Sequence, residues 1–123
     1  MYIRPIQSDD ERVFVNQSIY CNTGGLFPYY SGEDPFLNLW LCYEDCDASC
    51  DLRNCKAFTY FEIKPDFIVV IYVQSMDGER SEAAISLVEE IYKDYKRDVL
   101  VDPGLFRDFT EECCYSVPFL KTI

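Results

Sequence analysis

Two β-rich runs separated by one short turn constrain this chain more than any other feature. The runs cover residues 56–64 (K-A-F-T-Y-F-E-I-K) and 67–74 (F-I-V-V-I-Y-V-Q), and only Pro65 and Asp66 lie between them. Aromatic and β-branched residues favour strands, and so short a connection predicts an antiparallel hairpin. The second run is apolar on both faces, which is typical of a central, fully buried strand. The chain therefore predicts a sheet with other elements packed on each face.

The segments around this hairpin supply the remaining elements. Ser8 and Glu11 match a capping box, which predicts a helix that packs through Val13, Phe14, Ser18 and Ile19. In chain order we predict a strand at 2–6, this helix, an irregular stretch at 21–35, three antiparallel strands at 36–43, 56–64 and 67–74, a long helix at about 78–97, a strand at 98–102 and a helical run that includes Leu105 and Cys113. This order predicts an α+β (mixed α/β) fold, in which a central twisted, mostly antiparallel sheet is flanked by helices.

Length and charge limit the classes of protein to which the chain can belong. A chain of 123 residues predicts one domain spanning 1–123. Its net charge of −11 repels phosphate backbones and anionic lipids, so we expect neither nucleic acid nor a membrane as a partner. No apolar run reaches the roughly 20 residues of a membrane span, and no secretory signal is visible. The expected location is the cytoplasm.

Cysteine and histidine usage bears on the chemistry. Seven cysteines, an odd number without an export signal, favour free thiols in a reducing compartment over a disulfide framework. Histidine is absent from the sequence. Its absence removes the usual general base near neutral pH, every Ser-His or Cys-His catalytic pair, and every imidazole metal ligand.

Four of the cysteines are closely spaced. Cys42, Cys46, Cys50 and Cys55 fall within one acidic stretch, and four thiolates could hold zinc tetrahedrally. The close C-x-x-C pair of most structural zinc sites is missing, however, and free cysteine commonly packs as a small apolar residue. The cluster is therefore open to two interpretations, a zinc site or reduced thiols.

The opening residues M-Y-I-R-P-I-Q-S-D-D resemble the start of proteins in the GNAT superfamily of acyl-CoA-dependent N-acyltransferases. The predicted element order matches that family, and S-V-P-F-L-K-T-I at the carboxyl end is similar to its last helix, particularly in short acetyltransferase-like proteins of tailed phages. The resemblance implies a GNAT-like fold, acetyl-CoA as ligand, and a pyrophosphate held at the start of the long helix. It assigns cofactor binding to Val73, Gln74, Gly78, Arg80, Ser81, Ala83 and Ala84.

Departures from the family pattern bear on catalysis. The family's phosphate loop begins with Gln or Arg and has Gly three residues later, whereas the closest register here has Glu79 and Glu82 at those positions. A carboxylate facing a pyrophosphate adds repulsion. The tyrosine that protonates the thiolate in active members corresponds to Leu120, and Tyr115 lies a turn or more away. Glu62 is a candidate general base, but an ordinary solvated carboxylate on a strand explains this residue equally well. The catalytic residues therefore stay unassigned.

The sequence thus supports three hypotheses of function. The first is a degenerate acyl-CoA N-acyltransferase-like domain, which in a phage would be an accessory or virion-associated protein in the host cytoplasm or the virion. The second is a non-enzymatic acidic protein that binds and inhibits a host defence or nucleic-acid enzyme, using its acidity to occupy a basic groove. The aromatic residues open to two interpretations, an acceptor or partner surface or the core, are Phe27, Tyr29, Tyr30, Phe36 and Trp40. The third is a small zinc-stapled structural module.

Overall fold

A computed structural model describes residues 1–25, 29–76 and 82–101, and the backbone alone of residues 120–122. The strands are β1 (Tyr2–Pro5), β2 (Leu37–Tyr43), β3 (Ala57–Ile63), β4 (Phe67–Ser75), β5 (Asp98–Val101) and β6 (Leu120–Thr122). The helices are α1 (Asp9–Thr23) and α2 (Glu82–Tyr95), and two 3-10 turns, Ala48–Cys50 and Leu52–Asn54, lie between β2 and β3.

All six strands form one sheet in the order of the chain, β1-β2-β3-β4-β5-β6. The first four are antiparallel to their neighbours, and the hairpin formed by β3 and β4 is the one that the sequence predicts. β5 runs parallel to β4, and β6 runs parallel to β5. The predicted fold class, an α+β domain with a mostly antiparallel sheet and flanking helices, is confirmed.

The two helices cover opposite faces of the sheet. Side chains alternate along a strand, so Trp40 and Tyr43 of β2 face opposite sides. Tyr43 hydrogen-bonds to Glu11 of α1 at 3.0 Å, whereas the Trp40 ring lies 6.1 Å from the ring of Tyr95 of α2. α2 contacts β2, β3, β4 and β5, so it shields the middle of the sheet. Both faces are therefore covered, as an apolar central strand requires.

α1 begins where its capping box predicts. The Ser8 hydroxyl accepts the Glu11 N–H at 3.2 Å, and the Glu11 carboxylate accepts the Ser8 N–H at 3.2 Å. The helix ends at Gly24, whose φ of 66° is in the left-handed region that glycine tolerates, and whose N–H donates to the Tyr20 carbonyl. Both ends of α1 are thus set by local chemistry.

Several details differ from the expectations. Val13 is 41% exposed, and Val15 is buried in its place beside Ile19, because the sheet-facing stripe of α1 is rotated from the predicted one. β4 is central, but Val69 and Ile71 are half-buried, so one of its faces is only partly covered in this part of the strand. α1 continues to Thr23, beyond the predicted start of the irregular stretch.

The carboxyl end requires a further correction. The resemblance implied a last helix there, but Leu120–Thr122 is a strand paired with β5 over Val99↔Leu120, Leu100↔Lys121 and Val101↔Thr122. The physical reason is the open edge of β5, whose N–H and C=O groups need partners that a helix cannot supply. The predicted helical run around Leu105 and Cys113 lies outside the described residues. Among the described helices, none is both long and apolar enough to cross a membrane.

Candidate ligand-binding site

β4 carries a bulge at Ile71. Tyr60 of β3 pairs with Tyr72, and the next β3 residue, Phe61, pairs with Val70, so Ile71 is an extra residue without a partner. An extra residue bends a strand and increases its local twist. The second half of β4 therefore departs from the direction of the first half.

β4 and β5 pair over only a short distance. The register is Phe67↔Asp98, Ile68↔Val99 and Val69↔Leu100, yet β4 itself continues to Ser75. Within the described part of the chain, no strand pairs with this side of β4 beyond Val69. Among the described strands, the parallel pair is thus joined only over residues 67–69 of β4, and the β5-facing side of β4 at Val73 is called its open edge.

Backbone groups of Val73 point to the open side. Ile63 of β3 donates its N–H to the Phe36 carbonyl at 2.8 Å, on the β2 side of the strand. Residues two apart in a strand direct their N–H and C=O groups to the same neighbour, so Thr59 also faces β2. Val73 is opposite Thr59 in the register. Its N–H and C=O consequently point away from β3, towards the side on which β5 lies.

The side chains of three predicted cofactor residues belong to the core. Val73 is 4% exposed, and Ala83 and Ala84 in the first turn of α2 are at 1% or less. All three are members of one buried apolar cluster, so their side chains contribute packing and are not exposed to a ligand. Gln74 is half-buried. The other predicted residues, Gly78, Arg80 and Ser81, lie outside the described residues.

A chain of hydrogen bonds links α1 to the open half of β4. Asn22 Nδ2 donates to the Tyr72 hydroxyl at 2.7 Å, and this hydroxyl donates to Gln74 Oε1 at 2.8 Å. Tyr72 is 2% exposed, so the middle member of this series of hydrogen bonds is buried. Neither Asn22 nor Tyr72 is among the site residues that the sequence predicts. The spacing of Tyr72 and Gln74, which places both on one face of β4, was the available signal.

The four clustered cysteines do not converge on a common point. Cys42 and Cys55 are buried, whereas Cys46 and Cys50 are exposed at the 3-10 turns. Burial raises the pKa of Cys42 to about 11 and that of Cys55 to about 12. Within the described residues, no group of three or more Cys, His, Asp or Glu is arranged to hold a metal ion. The predicted zinc site therefore has no support in the geometry, because interior packing separates two thiols from the other two.

A polar groove lies at the amino-terminal end of α1, at the opposite end of this helix from Asn22. It encloses about 780 Å³ and is lined by residues that include Arg4, Glu11, Ser49, Asp51 and Arg53. Two ion pairs lie in its lining: Arg4 with Glu11 at 2.7 Å, which is buried, and Arg53 with Asp51 at 2.7 Å, which is at the surface. The buried pair joins β1 to α1, so this part of the groove stabilises the fold.

Other candidates from the sequence separate into core and surface. Glu62, the candidate base, is ion-paired with Lys64. Tyr30 and Trp40 are buried, whereas Tyr29 and Phe36 are exposed, and Phe27 lies outside the described residues. The aromatic set is thus not one surface.

Comparisons with known proteins give one structural likeness. No family model matches the chain, and no curated protein matches it. Among solved structures, the chain is similar to the crystal structure of an acetyltransferase from Vibrio fischeri, with 13% identity and a TM-score of 0.49. The likeness covers 82% of this chain and 94% of the other.

Proposed function

We propose that this protein binds a coenzyme A thioester, with the pantetheine arm lying along the open edge of β4. The observation that carries the proposal is the outward direction of the Val73 N–H and C=O, beyond the point where β5 stops pairing with β4. An extended ligand with amide groups can add to such an edge as a strand does. The pantetheine arm of coenzyme A is extended and contains two amides.

The start of α2 lies just beyond this edge in the chain. A helix amino terminus offers unpaired N–H groups and a positive dipole end, which favour a pyrophosphate. Glu82, the first residue of α2, is exposed and adds a negative charge there. We therefore expect the adenine nucleotide half to contribute less to affinity than the pantetheine half.

Binding and not turnover is the activity that we assign. The sequence contains no histidine, Glu62 is held by Lys64, and Leu120 occupies the position at which the family resemblance expects a tyrosine. A strand backbone can hold a thioester without any of these groups. A role as a phage accessory or virion-associated protein, in which a bound ligand has a structural purpose, stays a prediction.

Calorimetric titration tests the proposal. We expect acetyl-CoA to bind with micromolar affinity, desulfo-CoA to bind nearly as tightly, and ADP to bind at least tenfold more weakly, because ADP lacks the amides that contact β4. Equal affinities for ADP and acetyl-CoA would place the ligand elsewhere. No heat of binding with any of the three would overturn the proposal.

A second candidate function is the binding of a basic protein. Apolar side chains are exposed on the outer side of α1, where Val13 and the 67%-exposed Tyr29 line a shallow pocket of about 400 Å³. Because this protein has a net charge of −11, electrostatic attraction favours a basic partner. Tyr29→Ala should then weaken a partner complex, and raised salt should slow its formation. A complex that is insensitive to both would count against this candidate.

A further inference from the structure

The donors and acceptors of the Asn22–Tyr72–Gln74 chain fix the orientation of the Gln74 amide. A tyrosine hydroxyl has one proton to donate. Because Asn22 Nδ2 donates to the Tyr72 oxygen, the Tyr72 proton is left for Gln74 Oε1. Gln74 Nε2, which carries the two N–H groups, must then point away from Tyr72.

The other neighbour of the amide agrees with this orientation. Gln74 Nε2 lies 3.7 Å from Met76 Sδ, and a thioether is a weak acceptor. The opposite orientation would place the amide oxygen against the sulfur, so two acceptors would face each other. Among the described residues, this thioether is the contact that the Nε2 group makes, and the contact is exposed, so Nε2 is accessible to a ligand.

Gln74 adjoins the open edge of β4 in sequence, and its side chain stands on the α1 face of the sheet, beside Tyr72. Gln74 follows Val73, whose backbone points towards the β5 side. A ligand in the position of an added strand would lie about 4.8 Å from the β4 backbone, a spacing that a glutamine side chain can bridge. A pantetheine amide carbonyl there would accept a hydrogen bond from Nε2 at the cost of only a thioether contact.

We propose that Gln74 is a specificity-determining residue that donates an Nε2 hydrogen bond to an amide carbonyl of the pantetheine arm. Tyr72 and Asn22 are positioning residues that act through Gln74. This inference rests on the proposed function and adds the group that recognises the arm. It predicts that the chain discriminates pantetheine-containing ligands from nucleotides through a side chain as well as through the backbone.

Gln74→Met is the direct test, because methionine has a similar length and no amide donor. We expect its affinity for 4′-phosphopantetheine and for CoA to fall roughly five- to tenfold, the effect of one lost hydrogen bond. Its affinity for ADP should not change. Gln74→Glu should lose at least as much affinity for both ligands. An ionised carboxylate has no proton to donate, so the outward oxygen of the glutamate could only accept a hydrogen bond. Gln17→Met is the matched control, because Gln17 is an exposed glutamine on α1.

A double-mutant cycle tests the positioning role. Tyr72→Phe keeps the ring that stacks on Phe58 at a centroid distance of 5.9 Å but removes the proton that fixes Oε1. We expect a smaller loss of CoA affinity from Tyr72→Phe alone and no additional loss in the Tyr72→Phe/Gln74→Met pair. Additive losses would overturn the positioning role.

The two proposals fail in different ways. If the wild-type protein binds CoA and Gln74→Met binds it as tightly, the role of Gln74 is overturned and the proposed function stands. If the wild-type protein binds neither 4′-phosphopantetheine nor CoA, both are overturned. Unfolding midpoints in urea, measured for each variant, confirm that the compared proteins are folded.

Discussion

Arg4 and Glu11 form a two-pronged ion pair in the interior between β1 and α1. The two guanidinium nitrogens of Arg4 lie 3.1 and 2.7 Å from the two carboxylate oxygens of Glu11, and both side chains are more than nine-tenths buried. Glu11 also accepts the Tyr43 hydroxyl at 3.0 Å and the Gln7 N–H at 2.8 Å. One carboxylate thus joins the first strand, the first helix and β2.

We predict that Glu11→Gln lowers the free energy of unfolding by about 3 kcal/mol, because it leaves the Arg4 charge buried without a counter-charge. Asp9→Asn is the control. Asp9 pairs with Arg12 at the surface, so its replacement should cost less than about 1 kcal/mol. Urea unfolding of the two variants measures both values. Equal losses of unfolding free energy in the two variants would show that the interior pair stabilises the fold no more than the surface pair does.

The same pair predicts a dependence of stability on pH. Burial raises the pKa of Glu11, but hydrogen bonds from Arg4, Gln7 and Tyr43 lower it by more than burial raises it. The pKa of Glu11 in the folded protein is therefore below the ordinary value of 4.5. As pH falls, the unfolded chain therefore takes up this proton before the folded protein does. The stabilisation is complete above the ordinary pKa and is lost as pH falls through the folded pKa.

Unfolding free energies measured from about pH 6 down to about pH 3 check this sign. The wild-type protein should lose more stability over that range than Glu11→Gln, which has no proton to take up at this position. Exposed Asp51, whose pKa is lowered to about 2 mainly by Arg53, titrates in both proteins and does not affect the comparison. Parallel pH curves would contradict the assignment.

The elements of this fold that sequence predicts are those set by near neighbours. The β3–β4 hairpin follows from two β-rich runs and one turn, and α1 begins at Ser8 because Ser8 and Glu11 are three residues apart. That Glu11 also binds Arg4 depends on how β1 and α1 pack, which no local pattern encodes. The rotated stripe of α1, where Val15 replaces Val13, has the same origin.

The candidate site is predictable only in part, for a related reason. The sequence assigns a ligand to Val73 and Gln74 only through its resemblance to the GNAT superfamily. The structure makes the Val73 side chain part of the core and turns its backbone outward, a direction that depends on register with β3. The Asn22–Tyr72 contact joins residues fifty positions apart, so tertiary packing alone creates it.

The five thiols that the structure describes should divide into two reactivity classes. Cys21, Cys46 and Cys50 are exposed, whereas Cys42 and Cys55 are buried with pKa values raised to about 11 and about 12. Since the thiolate is the reactive form, we expect the exposed group to be alkylated at pH 8 roughly 100-fold faster. Peptide mapping by mass spectrometry after timed labelling measures each rate. Rapid labelling of Cys55 in folded protein would contradict its buried position.

Metal removal should not affect the fold. Because the four clustered cysteines do not converge, a chelator should leave the urea unfolding midpoint unchanged. Added zinc should not slow the alkylation of Cys46 and Cys50. Copurification of one zinc ion per chain, with a loss of stability on chelation, would restore the zinc-stapled hypothesis.

Proline substitutions on β4 can separate its two edges. A proline removes one N–H, and in a strand it is tolerated where that N–H faces outward. The Val73 N–H points to the open side, whereas the neighbouring Gln74 is in a hydrogen-bonded pair with Phe58. Val73→Pro should therefore destabilise the protein less than Gln74→Pro, which we expect to cost about 3 kcal/mol.

For ligand binding, the informative comparison is Val73→Pro with Val73→Ala. Both lose the packing of the valine side chain, but only the proline lacks the outward N–H. We expect the affinity of Val73→Ala for acetyl-CoA to be within about twofold of the wild-type affinity. We expect Val73→Pro to bind acetyl-CoA at least tenfold more weakly, because it loses a backbone hydrogen bond to the ligand and distorts the strand. Equal binding by the two folded variants would show that the ligand does not use this edge, and the pantetheine arm would have to lie elsewhere on the protein.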